Sequence, residues 1–166
     1  MAELQDFMLV AEKDRDEAMR IASVVASKLE SKQTTLIDIV KSLGEYINDE
    51  DASIRGKAVS YLTAVIIALP DKFLSRQQIQ VLTTFFCARI EDGGSITGLR
   101  TLHGMECFDK SMAQDAFRAI YQHSTEFRSR PQSQRLQVLH LLNELMAKSR
   151  EGISFHIEQN HELELD

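Results

Sequence analysis

The stretch Asp51-Ala-Ser-Ile54-Arg55-Gly-Lys-Ala58-Val-Ser-Tyr-Leu62-Thr-Ala-Val65 decides the fold. Ile54, Ala58, Leu62 and Val65 recur at steps of three and four, so they share one face of a helix. Asp51 sits just ahead of them, where a carboxylate can accept from the free N–H groups of a first turn. Arg55 leaves the apolar stripe and is expected to reach an acidic group on a neighbouring turn. A helix with so broad an apolar face cannot bury it alone and must pack between others.

Working outward, the same periodicity continues. Leu36, Ile39, Val40, Leu43, Tyr46 and Ile47 form an unbroken series read as one helix, with Thr34 or Thr35 as its cap. Pro70 ends the helix that begins at Asp51. Ser75-x-x-Gln78 and Ser111-x-x-Gln114 both have capping-box spacing. Ile79, Leu82, Phe85, Phe86 and Ile90 line the helix after the first box, and Gly93-Gly94 break it. Ile96, Leu99, Leu102 and Met105 supply its partner. Met112, Ala116, Ala119 and Ile120 follow the second box. Residues 124–131 read as a polar connection to a last helix carrying Leu136, Val138, Leu139, Leu142, Leu145 and Met146.

Helix pairs therefore recur over residues 34–70, 75–106 and 111–148. Ile54 and Ile96 hold matching positions, at a spacing within the roughly 40–47 residue period of HEAT arrays. The expected fold is all-α, a HEAT-like, armadillo-type α-α superhelix of about three pairs. Residues 1–33 are expected as N-terminal capping helices, 34–148 as the repeats and 149–166 as a disordered tail. The last helix is apolar over much of its circumference, so an open C-terminal edge is expected.

Composition sets the class. With 43% hydrophobic and 27% charged residues the 166-residue chain suits one globular domain. A net charge of −6 and a pI near 5.4 argue against a dedicated nucleic-acid surface, which needs a basic stripe. The acidic start, without a basic leader, and two cysteines outside any CxxC spacing fit the nucleus and cytoplasm. Cys87 and Cys107 read as small buried hydrophobes, too few for an iron–sulfur or structural zinc site.

No catalytic, cofactor-binding or metal-ligating residues are expected. None of His103, His123, His140, His156 or His161 shows a convergent ligand set by local spacing. The glycines at 93, 94 and 98 lack the spacing and preceding strand of a phosphate loop. Arg118, Arg128, Arg130 and Arg135 remain as a small basic cluster. It is either a solvated face or a docking contact for an acidic protein segment.

Two stretches carry a family resemblance. Residues 36–69, with Ile39-Val40, Leu43-Gly44, Ile47, Asp51, Ile54-Arg55-Gly56 and Ala58, resemble the N-terminal domain of the methyl-methanesulfonate-sensitivity HEAT scaffold. Phe85-Phe86-x-x-Arg89-Ile90-x-Asp92, followed by Gly98-Leu99-x-x-Leu102, is similar to the same family's aromatic helix. The likeness covers residues 34–148 and leaves the tail outside it. It implies a non-catalytic scaffold of cytosolic iron–sulfur protein assembly, linked to DNA repair and transcription. The implied partners are subunits of the targeting complex and apo-proteins such as DNA helicases and polymerases, with no direct nucleic acid and no membrane. Family members are much longer, so this chain is expected to be an N-terminal fragment, a truncated gene model or a short product. The alternative is a generic HEAT adaptor of the transport or phosphatase-scaffold type.

Overall fold

The computed structural model describes residues 2–150. Ten helices occur among them: α1 (Ala2–Val10), α2 (Arg15–Glu30), α3 (Leu36–Ser42), α4 (Gly44–Ile47), α5 (Ala52–Ala68), α6 (Arg76–Ala88), α7 (Ser95–His103), α8 (Lys110–Gln122), α9 (Ser124–Arg128) and α10 (Gln132–Ser149). The expectations for residues 151–166 lie outside the described residues.

Local chemistry sets most helix starts. The carboxylate of Asp14 accepts from Glu17 N at 3.1 Å, which starts α2. Thr35 accepts from Asp38 N at 3.1 Å, and Asp51 accepts from Ser53 N at 2.9 Å. At α6 the capping box is complete: Gln78 N donates to Ser75 Oγ, and Ser75 N donates to the Gln78 side chain.

The second expected capping box does not form. Asp109 caps α8 instead, accepting from Met112 N at 3.0 Å, and Ser111 lies inside the first turn. A carboxylate two residues upstream is the better acceptor for exposed N–H groups at a positive helix end. That backbone hydrogen bond, and the neighbouring Arg76, hold the Asp109 carboxyl below its ordinary range. Two further boundaries differ from expectation. The series 36–47 splits at Leu43 into α3 and α4. The connection 124–131 holds the short helix α9, because Phe127 is buried and anchors one more turn.

The helices stack in pairs. α1 packs on α2, α2 on α5, α5 on α7, α6 on both α7 and α8, and α8 on α10. Ala18, Ala22 and Ala26, at intervals of four on α2, are all buried, so this helix approaches its neighbours over a stripe of small side chains. α5 sits centrally, against α1, α2, α4 and α7. Eight of its residues are buried, among them Ala58, Leu62 and Val65 of the expected stripe. Ile54 is half-buried at the helix start. Tyr61, fully buried, meets the Phe7 ring edge-on at 5.3 Å, and burial pushes its phenol pKa up.

The open C-terminal edge is not found in the form expected. Val138, Leu141, Leu142 and Leu145 of α10 are already buried within the chain, and Leu136 is the one exposed large hydrophobic on that helix. α8 and α9 supply the covering surface. At the other chemistry-poor positions, Phe86 is buried and Phe85 half-buried, with rings 5.6 Å apart and nearly perpendicular, so this pair is core as its spacing indicated.

Candidate interaction surface and the polar seam between helix pairs

The helix pairs are joined by polar contacts as well as apolar ones. Arg55, at the start of α5, donates through Nε to Asp92 Oδ1 at 3.0 Å, and through Nη1 to the carbonyls of Asp49 at 2.8 Å and Glu50 at 3.0 Å. Its acidic partner is thus on the next pair, in the α6–α7 turn, and the neighbouring turn supplies only carbonyls. Asp92 is 7% exposed. Arg89 returns the contact, donating to Ile47 O at 3.0 Å. Thr63 Oγ1 donates to Gly94 O at 3.0 Å, and Ser95 Oγ to Arg89 O at 2.5 Å.

Glycines make this seam possible. Gly94 has φ 92°, a left-handed conformation, and a Cβ there would lie 2.7 Å from Ser60 Oγ. Gly98 faces the Phe86 ring, whose nearest carbon would be 2.5 Å from an added Cβ. Gly94 and Gly98 are packing devices.

The four sequence-selected arginines occupy distinct settings. Arg118 is exposed on α8, 3.6 Å from Asp115. Arg128 is exposed at the end of α9 and its carbonyl accepts from Arg135 Nη1 at 3.3 Å. Arg130 lies over the Phe127 ring at 4.7 Å and donates to Glu91 O at 3.2 Å. Arg130 therefore belongs partly to the joint between the α6–α7 and α8–α10 pairs. Sequence reading missed that role because Glu91 is remote along the chain.

The cysteines divide. Cys87, expected to be buried, is half-buried, and burial pushes its thiol up to about 12, far from thiolate chemistry. Cys107 is exposed, contrary to expectation: the 104–109 turn carries it outward while Phe108 takes the buried position. Among the histidines, His103 meets Glu144 at 3.3 Å and the Phe108 ring edge at 5.7 Å. Burial is the main influence lowering its pKa, helped by Lys148 and opposed by Glu144. His140 Nε2 takes the other oxygen of Glu144 at 2.7 Å. His123 meets Glu91 at 3.3 Å and has Glu126 beside it. His156 and His161 lie outside the described residues. No helix of the described residues is long and apolar enough to cross a membrane.

Paired helices, stacked side by side and stitched by an arginine–aspartate seam, define a HEAT-like helical-repeat protein. The chain belongs to the MMS19 family: residues 40–163 fit its N-terminal domain, described as the Dos2-interacting transcription regulator of RNA-Pol-II. The match begins inside α3 and runs through most of the tail, so the expectation that the likeness stops at residue 148 was too short. The chain is 26% identical over 137 residues to the DNA repair/transcription protein mms19 of Schizosaccharomyces pombe, covering 80% of this chain and 13% of that protein. It is 32% identical over 88 residues to the MMS19 nucleotide excision repair protein homolog of Dictyostelium discoideum, covering 49% of this chain and 8% of the relative. A Drosophila melanogaster MMS19 nucleotide excision repair protein is 26% identical over 129 residues, 75% of this chain and 13% of its own. The chain thus spans about an eighth or less of the curated relatives it matches. No solved structure matches.

Proposed function

We propose that this chain is a non-catalytic protein-binding scaffold of DNA repair and transcription, and that within that role it serves cytosolic iron–sulfur protein assembly. The observation that carries the reading is the family match over residues 40–163, together with relatives named for repair and transcription. In this role the chain contributes the N-terminal pairs of a longer array in the nucleus and cytoplasm. Its partners are targeting-complex subunits and apo-proteins awaiting clusters, such as DNA helicases and polymerases. The polar seam supports a passive role: it holds the pairs at a fixed angle, and a stack of fixed pairs presents an extended surface to a protein partner.

Within this reading the exposed Arg118 and Arg128 steer an acidic client segment. Arg130 is committed in part to the α6–α7 turn and Arg135 to the end of α9. The test uses the full chain, an immobilised apo iron–sulfur helicase domain and the same domain with its cluster loaded. The expected result is retention by the apo form and weaker retention of an Arg118→Glu/Arg128→Glu variant with an unchanged melting curve. Equal retention by the loaded form, or none by either, would remove the assembly role.

A further inference from the structure

One cluster is absorbed neither by the core nor by the seam. Glu91 lies in the α6–α7 turn, while His123 and Glu126 stand at the junction of α8 and α9. The three offer one ligand atom each, all within 4.8 Å of one another. His123 Nδ1 lies 2.9 Å from Ala119 O. A carbonyl can only accept, so Nδ1 carries the hydrogen, which leaves Nε2 as the ring nitrogen available to a ligand. Nε2 lies 3.3 Å from Glu91 Oε1. Either a proton or a cation between them bridges the two atoms.

The His123–Glu91 spacing fits a cation. Two ligands about 2.0–2.2 Å from one ion at a tetrahedral angle stand about 3.4 Å apart. The imidazole is oriented through its other nitrogen by a backbone carbonyl, which is how metal-binding histidines are ordinarily fixed. Both supports are anchored from behind. Phe127 is buried and holds α9, and Arg130 donates to the Glu91 carbonyl, which holds the turn. The Arg130 guanidinium also lowers the affinity for a cation, and the partly exposed setting leaves the remaining coordination positions to water.

We propose that Glu91, His123 and Glu126 form a site for a divalent transition ion of the zinc class, clipping the α6–α7 pair to the α8–α10 pair. One imidazole and two carboxylates suit such an ion better than magnesium or calcium, which prefer oxygen alone. A competing imidazole–carboxylate group exists at His103, Glu144 and His140, where the histidines take opposite oxygens of one carboxylate.

The experiment titrates the chelator-stripped full chain with zinc chloride by equilibrium dialysis and follows the melting temperature in parallel. The expected result is one zinc per chain in the micromolar range, with a rise in melting temperature. Glu91→Gln, His123→Gln and Glu126→Gln should each weaken binding by about tenfold or more. Glu126 is exposed, so its variant keeps the fold and is decisive by itself. His140→Gln and the double variant His156→Gln/His161→Gln should bind as the parent does. Absence of saturable zinc binding overturns the proposal. So does binding that survives Glu126→Gln, falls with His140→Gln or the tail variant, or is matched by magnesium at equal concentration.

Discussion

Replacing Arg55 by Met is the sharpest probe of how the pairs are held. The guanidinium makes one charged bond to a buried carboxylate and two to carbonyls of the preceding turn. Methionine keeps the apolar stem and removes all three. The Asp49 and Glu50 carbonyls lie near solvent and regain water at small cost. The Asp92 carboxylate does not, because its side chain is only 6% exposed. Removing one partner of a buried pair costs about 3–5 kcal/mol. The Arg55 side chain is itself about a quarter exposed, which places the expected loss toward the lower end, about 3 kcal/mol. Urea unfolding followed by circular dichroism measures it directly. Asp92→Asn and the Arg55→Met/Asp92→Asn double variant complete a cycle. The double variant should lose less than the sum of the singles by more than 1 kcal/mol, roughly the coupling of residues in contact. An Arg55→Met variant within about 0.5 kcal/mol of the parent, or a strictly additive cycle, would show that the seam contributes no coupling and that apolar packing alone aligns the pairs.

Three further outcomes are expected. Leu62→Asp places a carboxylate in a fully buried position of α5; a loss of several kcal/mol should abolish the cooperative melt, and a parent-like melt would contradict the central place of α5. Lys32→Gly should raise stability by about 0.5–1 kcal/mol in denaturant titration, because Lys32 holds φ 63° after α2; unchanged or lower stability would mean the lysine side chain compensates its own strain. For His103, the folded-state pKa lies below its unfolded value, so the unfolded chain binds more protons in that range and stability falls as pH drops through the unfolded pKa, about 6.5. His103→Gln should flatten the stability profile between pH 7 and 5, and a slope equal to the parent's would remove His103 as its source.

Periodic apolar spacing made most of the helices legible in the sequence, because a helix face buried on neighbours must repeat at three and four residues. Asp51, Thr35 and the Ser75–Gln78 box were readable for the same local reason: each cap reaches no farther than three residues. Asp109 was passed over because Ser111-x-x-Gln114 offered a competing pattern in the same turn. The split at Leu43 left no mark, since the apolar spacing runs across it unbroken. The end of α2 was equally silent. Gln33 N donates to Lys28 O and Lys32 N to Leu29 O, the paired bonds of a glycine-type helix stop, but with lysine at the left-handed position. The polar joints were beyond reach for a different reason. Arg55–Asp92, Arg130–Glu91 and His123–Glu91 join residues more than thirty positions apart, and no local spacing encodes them. The His123-x-x-Glu126 pair was the one fragment of that cluster visible locally.

The close approach at Gly56 has a consequence for the shape of any longer array built on these pairs. A Cβ on Gly56 would lie 3.4 Å from Gly93 N and 3.5 Å from Gly93 Cα, so main chain meets main chain where α5 crosses the α6–α7 turn. Side chains at most joints act as compressible spacers, and each exchange of one residue for another alters the tilt slightly. Here no spacer intervenes. With glycine at both positions, the spacing between these two pairs follows backbone dimensions rather than side-chain size. Curvature at this joint should persist wherever both glycines are kept, so that surfaces on either side of it hold their mutual orientation while the outward-facing residues change.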